Sequence, residues 1–344
     1  MSSPKLPTQS RIIQVVLILG LVAFILYIYV FVDISKLIAI LSTIKPEFYL
    51  AAFAAYILYT FFSALVWHRL LNNLAVPITR RKAFLFTWVG LFFDATVPQL
   101  GWSAEVSKTY MLTKDSNVDT SKVTASVVGQ KLFTNTMTVV AMTLGLGLVL
   151  LNYTVDPLTA LLIVLILALS ILTLGITYWV SIKQSATKSL LNFAVKTVQI
   201  FRKTWNPEGF KLNAEALLGG FHGNFKQLRA NPKALVEPAV YSVIGFVFEV
   251  SVVFLCFIAL GYPVPVDKVL IVFTLTGTLQ TVGVFIGVPD LVMTISLNAL
   301  GIPIDMSVAV TLLTRVVNLW FRLAVSYVAL QWAGFKIIRQ NRIA

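Results

Sequence analysis

Residues 83–121 read AFLFTWVGLFFDATVPQLGWSAEVSKTYMLTKDSNVDTS, and this stretch decides how the chain threads. Its apolar part, 83–93, is too short to cross about 30 Å of hydrocarbon as a helix. It runs into Asp94 and then the helix-breaking Pro98-Gln99-Leu100-Gly101. The next part, 102–121, carries Glu105, Lys108, Lys114 and Asp115 and is too polar to cross. The whole therefore reads as a re-entrant hairpin that returns to the face it entered. Broken backbone at membrane depth is tolerated only where protein or a watery cavity satisfies it, so such a hairpin implies a site.

The surrounding sequence supplies the membrane. A 58% hydrophobic content against 12% charged excludes an ordinary soluble domain. Charge-free runs occupy 12–32, 48–67, 132–155, 157–182 and 269–289. The reading is an all-α polytopic membrane protein with about six full transmembrane helices: 12–32, 48–67, 122–151, 158–182, 234–260 and 306–334. The first follows Lys5 and Arg11 as a signal peptide would, but its apolar part is too long and no small-x-small cleavage site follows.

Net charge is +13, which by itself would suit nucleic acid; its distribution argues for a membrane instead. Basic residues collect in 69–82, in 183–233 and in the tail Lys336, Arg339 and Arg342, whereas the intervening loops carry Asp33, Lys36, Lys45, Glu47, Asp156, Asp267, Lys268 and Asp305. That asymmetry places both termini and the 183–233 segment in the cytoplasm of a cell whose plasma membrane the chain spans. Within 183–233, Leu191, Val195, Val198 and Phe201 share a helical face, with Lys188, Lys196, Arg202 and Lys203 mostly elsewhere. This is either a basic amphipathic helix on anionic headgroups or a linker helix packed on its own protein.

A second hairpin follows from the same bookkeeping of crossings. Segments 269–286 and 291–302 are separated by Gly287-Val288-Pro289-Asp290, and Gly301-Ile302-Pro303 comes next. If 306–334 is the last crossing and the tail is inside, 267–305 begins and ends outside. The two hairpins, 83–121 and 267–305, then enter from opposite faces, and the halves 1–182 and 234–344 form an inverted repeat. Pro98, Glu105 and Lys131 correspond to Pro289, Asp290 and Arg315. Lys131 and Arg315 would lie roughly 15 Å deep at 1.5 Å per residue.

A charge at that depth costs about 2.5–3.5 kcal/mol on insertion scales, so it has a partner or a task. Arg315, Asn318 and Arg322 share a helix face and suit a phosphate. The alternative is buried glue between helices, with Arg315 or Arg322 pairing with Glu249 and Lys131 pairing with Asp94. Both readings can hold at once. Glu105 and Asp290 would meet a cationic head, carry coupling protons or cap their helices.

The run Val97-Pro98-Gln99-Leu100-Gly101-Trp102-Ser103-Ala104-Glu105-Val106-Ser107-Lys108, followed by Ser126 to Lys131, resembles the first signature of the lysylphosphatidylglycerol synthase transmembrane family. The family's second signature, Pro-Gly-Gly-x-Gly-x-x-Glu before a helix bearing Arg, is similar to Gly283–Asp290 plus Arg315. Asp290 stands where that family has Glu and Lys108 where it has Arg, and Val284-Phe285-Ile286 dilutes the glycine cluster. The resemblance implies a free-standing, flippase-like member without the aminoacyl-transferase domain, hence translocation without synthesis.

Other chemistries find little support. His68 and His222 are far apart in polar segments, which suits surface histidines better than a zinc site or a triad. Gly145-Leu146-Gly147 and Gly219-Gly220 lack the strand-then-helix setting of a nucleotide loop. Cys256, in an apolar run, is a packing residue, and Asn152-Tyr153-Thr154 lies too near the membrane to be glycosylated. The expected site comprises Lys131, Arg315, Arg322, Glu105, Asp290, Asn318, Glu249, Asp94 and Lys108, with no cofactor and no metal. The expected cargo is a phospholipid or a polyprenyl-phosphate-type lipid, not nucleic acid. The alternative is an integral-membrane lipid-modifying enzyme, or an accessory subunit of a lipid or glycolipid pathway, using Glu105 and Asp290 as acid and base. Self-association and association with a lipid-synthesis enzyme both stay open.

Overall fold

The computed structural model describes residues 34–96, 102–153, 157–201, 206–281 and 287–341. Helix 12–32, the Pro98–Gly101 break, Thr154, Asp156, Arg202, Lys203, the Gly283–Ile286 run and Arg342 lie outside them. Among the described residues every regular element is helical. In chain order these are α1 (Ile34–Ser42), α2 (Pro46–Asn73), α3 (Arg80–Thr96), α4 (Ser103–Ser116), α5 (Thr120–Asn152), α6 (Pro157–Ile182), α7 (Gln184–Phe201) and α8 (Glu208–Ala230). A 3-10 turn, Pro232–Leu235, leads into α9 (Val236–Ala259), α10 (Val266–Thr281), α11 (Val288–Ala299) and α12 (Ile304–Arg315). A π-helical turn, Val316–Phe321, joins α12 to α13 (Arg322–Asn341).

Five of these are long and apolar enough to cross a membrane: Pro46–Asn73, Thr120–Asn152, Ile163–Ile182, Pro232–Ala259 and Ile304–Ala333. They coincide with five of the six expected crossings, and the chain is an all-α polytopic membrane protein. Local chemistry sets the boundaries. Pro46 opens α2, where its missing N–H is no loss. Asn117, with φ of 46°, stops α4 in the left-handed region that Asn tolerates. The Asp119 carboxylate then accepts from the Ser121 N–H at 2.8 Å and caps α5.

The longest seam runs between α2 and α9, and α5 packs on α10. Trp67, Leu70, Met142, Phe257, Ile271 and Leu297 are fully buried in the common core. The opposite behaviour marks α6: Leu161, Leu165, Leu172 and Trp179 are all exposed. A continuous apolar surface of this kind is what a lipid-facing helix presents.

Each half contains a pair of shorter helices. α3 packs against α4 and α10 against α11. The first pair is very close: a Cβ on Gly90 would sit 3.1 Å from the Ala104 carbonyl oxygen and 3.2 Å from Lys108 Cγ. Gly287, at φ 95°, precedes α11 in a conformation that favours glycine.

A charged cavity among the helices

The site is built from the third residue of two short helices. Glu105 is third in α4 and Asp290 is third in α11. Each reaches a cation in the helix that follows, and in both cases that cation is the twelfth residue of its helix. Lys131 Nζ lies 3.4 Å from Glu105 Oε1, and Arg315 donates to Asp290 Oδ2 at 2.9 Å. The correspondence of Glu105 and Lys131 with Asp290 and Arg315 is therefore physical pairing. A further pair joins the halves: Arg322, at the start of α13, lies 3.4 Å from Asp94 near the end of α3.

These groups surround a cavity of about 250 Å³. Asp94, Lys131, Glu249, Asp290, Arg315 and Arg322 give its wall three carboxylates and three cations. Between them lie Tyr56 and Tyr59 from α2, and Thr134, Asn135 and Thr138 from α5. Asn318 completes the polar surface from the π turn, and its Oδ1 is buried without a hydrogen-bond partner among the described residues, as is Arg322 Nε. Orphaned polar atoms carry a desolvation cost, which a polar partner in the cavity would relieve.

The expected site was mostly, but not wholly, brought together. Lys131, Arg315, Arg322, Asp290, Asn318, Glu249 and Asp94 line the cavity. Glu105 acts at one remove, through Lys131. Lys108 points elsewhere: buried, it donates to Gln130 Oε1 at 2.8 Å and lies 5.3 Å from the centre of the Trp67 ring. Gln130 Nε2 in turn donates to Ser63 O and Oγ at 2.9 Å. Lys108 thus positions α4 against α2 and α5 instead of facing a ligand.

The anticipated partners were also different. Neither arginine pairs with Glu249; Arg315 takes Asp290 and Arg322 takes Asp94, while Lys131 takes Glu105 in place of Asp94. The short-helix acids stand nearer to the cations than α9 does. Glu249 instead has the Tyr59 hydroxyl against its carboxylate and forms no ion pair with any described residue.

His68 is buried on α2, with Asn72 Nδ2 3.5 Å from its ring, so it is not a surface residue. His222 is half-buried, 2.6 Å from Thr187 Oγ1. Cys256 is fully buried, as a packing residue should be.

Sequence reasoning missed the tyrosines and the polar stripe of α5. The signal for the stripe was present: Lys131, Thr134, Asn135 and Thr138 recur at helical spacing in an otherwise apolar run. Nothing in the sequence announced the π turn between Arg315 and Arg322. Such turns insert one extra residue into a helix and are frequent at functional sites.

The helices and their enclosed charges define a class, a polytopic α-helical membrane protein with a charged internal cavity. The family model described as the lysylphosphatidylglycerol synthase TM region matches residues 11–326, and the chain belongs to that family. It is similar to a UPF0104 membrane protein of Methanocaldococcus jannaschii, 26% identical over 336 residues and 94% of each chain. A UPF0104 membrane protein of Pyrococcus horikoshii is 25% identical over 311 residues, 87% of this chain and 91% of that one. Another, of Methanothermobacter thermautotrophicus, is 20% identical over 281 residues, 79% of this chain and 81% of that one. No solved structure matches the chain.

Proposed function

We propose that the protein is a lipid translocase: the polar, phosphate-bearing head of a lipid enters the cavity while its tails stay in the hydrocarbon. The observation that carries this reading is the cavity of about 250 Å³, set among helices apolar enough to cross a membrane and walled by cations from both halves. The family's name, which attaches it to a phospholipid synthase, supports the same substrate class.

Phosphate suits these cations because it offers guanidinium the same paired oxygens as a carboxylate does. Losing one partner of a partly buried ion pair costs about 1–3 kcal/mol, so Arg322 leaves Asp94 most readily when another oxyanion takes its place. Exchange at Arg322 loosens a link between the halves, whereas Glu105–Lys131 and Asp290–Arg315 each hold one half together. In this reading the halves are an inverted repeat, their hairpins enter from opposite faces, and rocking exposes the cavity to each leaflet in turn. The termini and the 183–233 segment lie on the cytoplasmic side of the plasma membrane.

The test is transfer of fluorescent phosphatidylglycerol between leaflets of proteoliposomes. The protein should move the lipid chemically unchanged, and Arg315→Ala or Arg322→Ala should each slow transfer by one to two decades, the effect of losing a charge-assisted contact of about 1.5–3 kcal/mol. Transfer no faster than in protein-free liposomes would overturn the reading. A chemically altered lipid whose formation needs Glu105 or Asp290 would replace it with the enzyme.

A further inference from the structure

Glu249 lies where two cavities meet. Besides the central cavity it lines a smaller pocket of about 20 Å³ between α2, α5 and α9, sharing Tyr59 and Thr134 with it. That volume is enough for one water molecule. Ser63, Gln130 and Tyr241 carry its polar lining away from Glu249. At the far end the Tyr241 hydroxyl donates to Glu237 Oε1 at 2.7 Å, and Glu237, half-exposed, pairs with Arg69 at 2.7 Å. Glu237, Tyr241, Gly245 and Glu249 recur every four residues and so form one stripe along α9.

We infer that Glu249 is a proton-binding site, exchanging with the aqueous phase through this side pocket and coupling proton movement to passage of the lipid head. The inference rests on the translocase reading for its second half only. Glu249 is the carboxylate of the central cavity that has no ion-pair partner among the described residues, whereas Asp94 and Asp290 each hold an arginine. A carboxylate enclosed without a counterion is the group for which gaining a proton is least opposed. The charged and titratable groups that share the cavity wall with it are Tyr56 and Tyr59 from α2, Asp94 from α3, Lys131 from α5, Asp290 from α11, Arg315 from α12 and Arg322 at the start of α13; among the described residues α10 contributes none.

The coupling follows from that arrangement. Arg322 shares the cavity wall with Glu249, so its positive charge attracts the negative charge of that carboxylate. A phosphate that takes the place of Asp94 on Arg322 adds negative charge to the cavity, so the Glu249 carboxylate takes a proton and becomes an acid. By linkage, protonation of Glu249 strengthens phosphate binding by the same factor. Lipid phosphate and proton therefore load together and leave together.

Infrared difference spectra of the protein in nanodiscs between pH 5 and pH 9 test the site without any transport. A protonated-carboxyl band should be present, vanish in Glu249→Gln, and persist in Glu249→Asp, shifted but titrating. No such band in the unaltered protein, or a band unchanged in Glu249→Gln, overturns the proton site. In proteoliposomes carrying fluorescent phosphatidylglycerol, an imposed pH gradient should speed net transfer about tenfold for the unaltered chain and for Glu249→Asp. Tyr241→Phe should slow the gradient-driven rate several-fold while keeping the band, and an undiminished rate would overturn the path. Transfer indifferent to the gradient would overturn the coupling while leaving the translocase intact. If the lipid is not moved at all, the translocase reading falls, and the infrared band still decides the proton site.

Discussion

At the scale of residues, the cavity is held by ion pairs of unequal character. Asp94–Arg322 is the longer of the two arginine pairs, and its acid is 31% exposed, against 7% for Asp290. Asp94→Asn should lower stability by about 1–3 kcal/mol, less than the 3–5 typical of a fully buried pair, because water still reaches the carboxylate. Thermal unfolding in nanodiscs would read it, and the exchange Asp94→Arg with Arg322→Asp should recover most of the loss. An unrecovered loss would mean that the two residues do not act as a pair. Glu249→Gln, which breaks no ion pair, should leave the midpoint close to that of the unaltered chain. The sequence showed which residues were charged and lay in apolar surroundings but not which met which. Pairing turns on distances of a few ångströms between helices, and no local pattern encodes them.

At the scale of elements, the α3–α4 pair depends on a single missing side chain. Gly90→Val would push a side chain into the Ala104 carbonyl and the Lys108 stem, and overpacking of that kind costs about 1–3 kcal/mol. Gly147→Ala on α5 meets nothing within 4 Å and should be neutral or stabilising by up to about 1 kcal/mol, through helix propensity alone. Comparing the two unfolding midpoints checks both. Of the apolar face expected on α7, Val195 is buried and Leu191 half-buried, whereas Val198 is exposed, as are Phe193 and Ile200 outside that face.

The joint between α7 and α8 carries its own pH dependence. Burial holds the His222 imidazole below its ordinary value, against a smaller opposing effect of the Ser181 backbone. The folded joint therefore prefers neutral His222. Its contribution should be full above about pH 6.5, the unfolded value, and be lost as pH falls through the lower folded value. Hydrogen exchange in α7 and α8 should quicken on acidification, and His222→Gln should flatten that response.

At the scale of the whole molecule, the basic 183–233 segment and both termini should share one side. Cys256 is fully buried, so the native chain should resist a membrane-impermeant maleimide and leave a clean background. A cysteine replacing Lys196 should react only from the cytoplasmic face, and one replacing Lys45 only from the outer face. Reaction of the Lys196 position from outside would overturn the topology.

The sequence by itself determined the class of the protein, five of the described helices long and apolar enough to cross, and the kind of the charges. Hydropathy over some twenty residues is a local sum, and a proline or glycine break is legible where it stands. The tertiary structure alone decided that Arg322 belongs to Asp94, that Lys108 faces Gln130 and not the cavity, and that Glu249 sits between two pockets. It also placed a π turn between Arg315 and Arg322. Each of these depends on how helices far apart in the chain come to rest against one another, and the energy that selects among such arrangements belongs to no single segment.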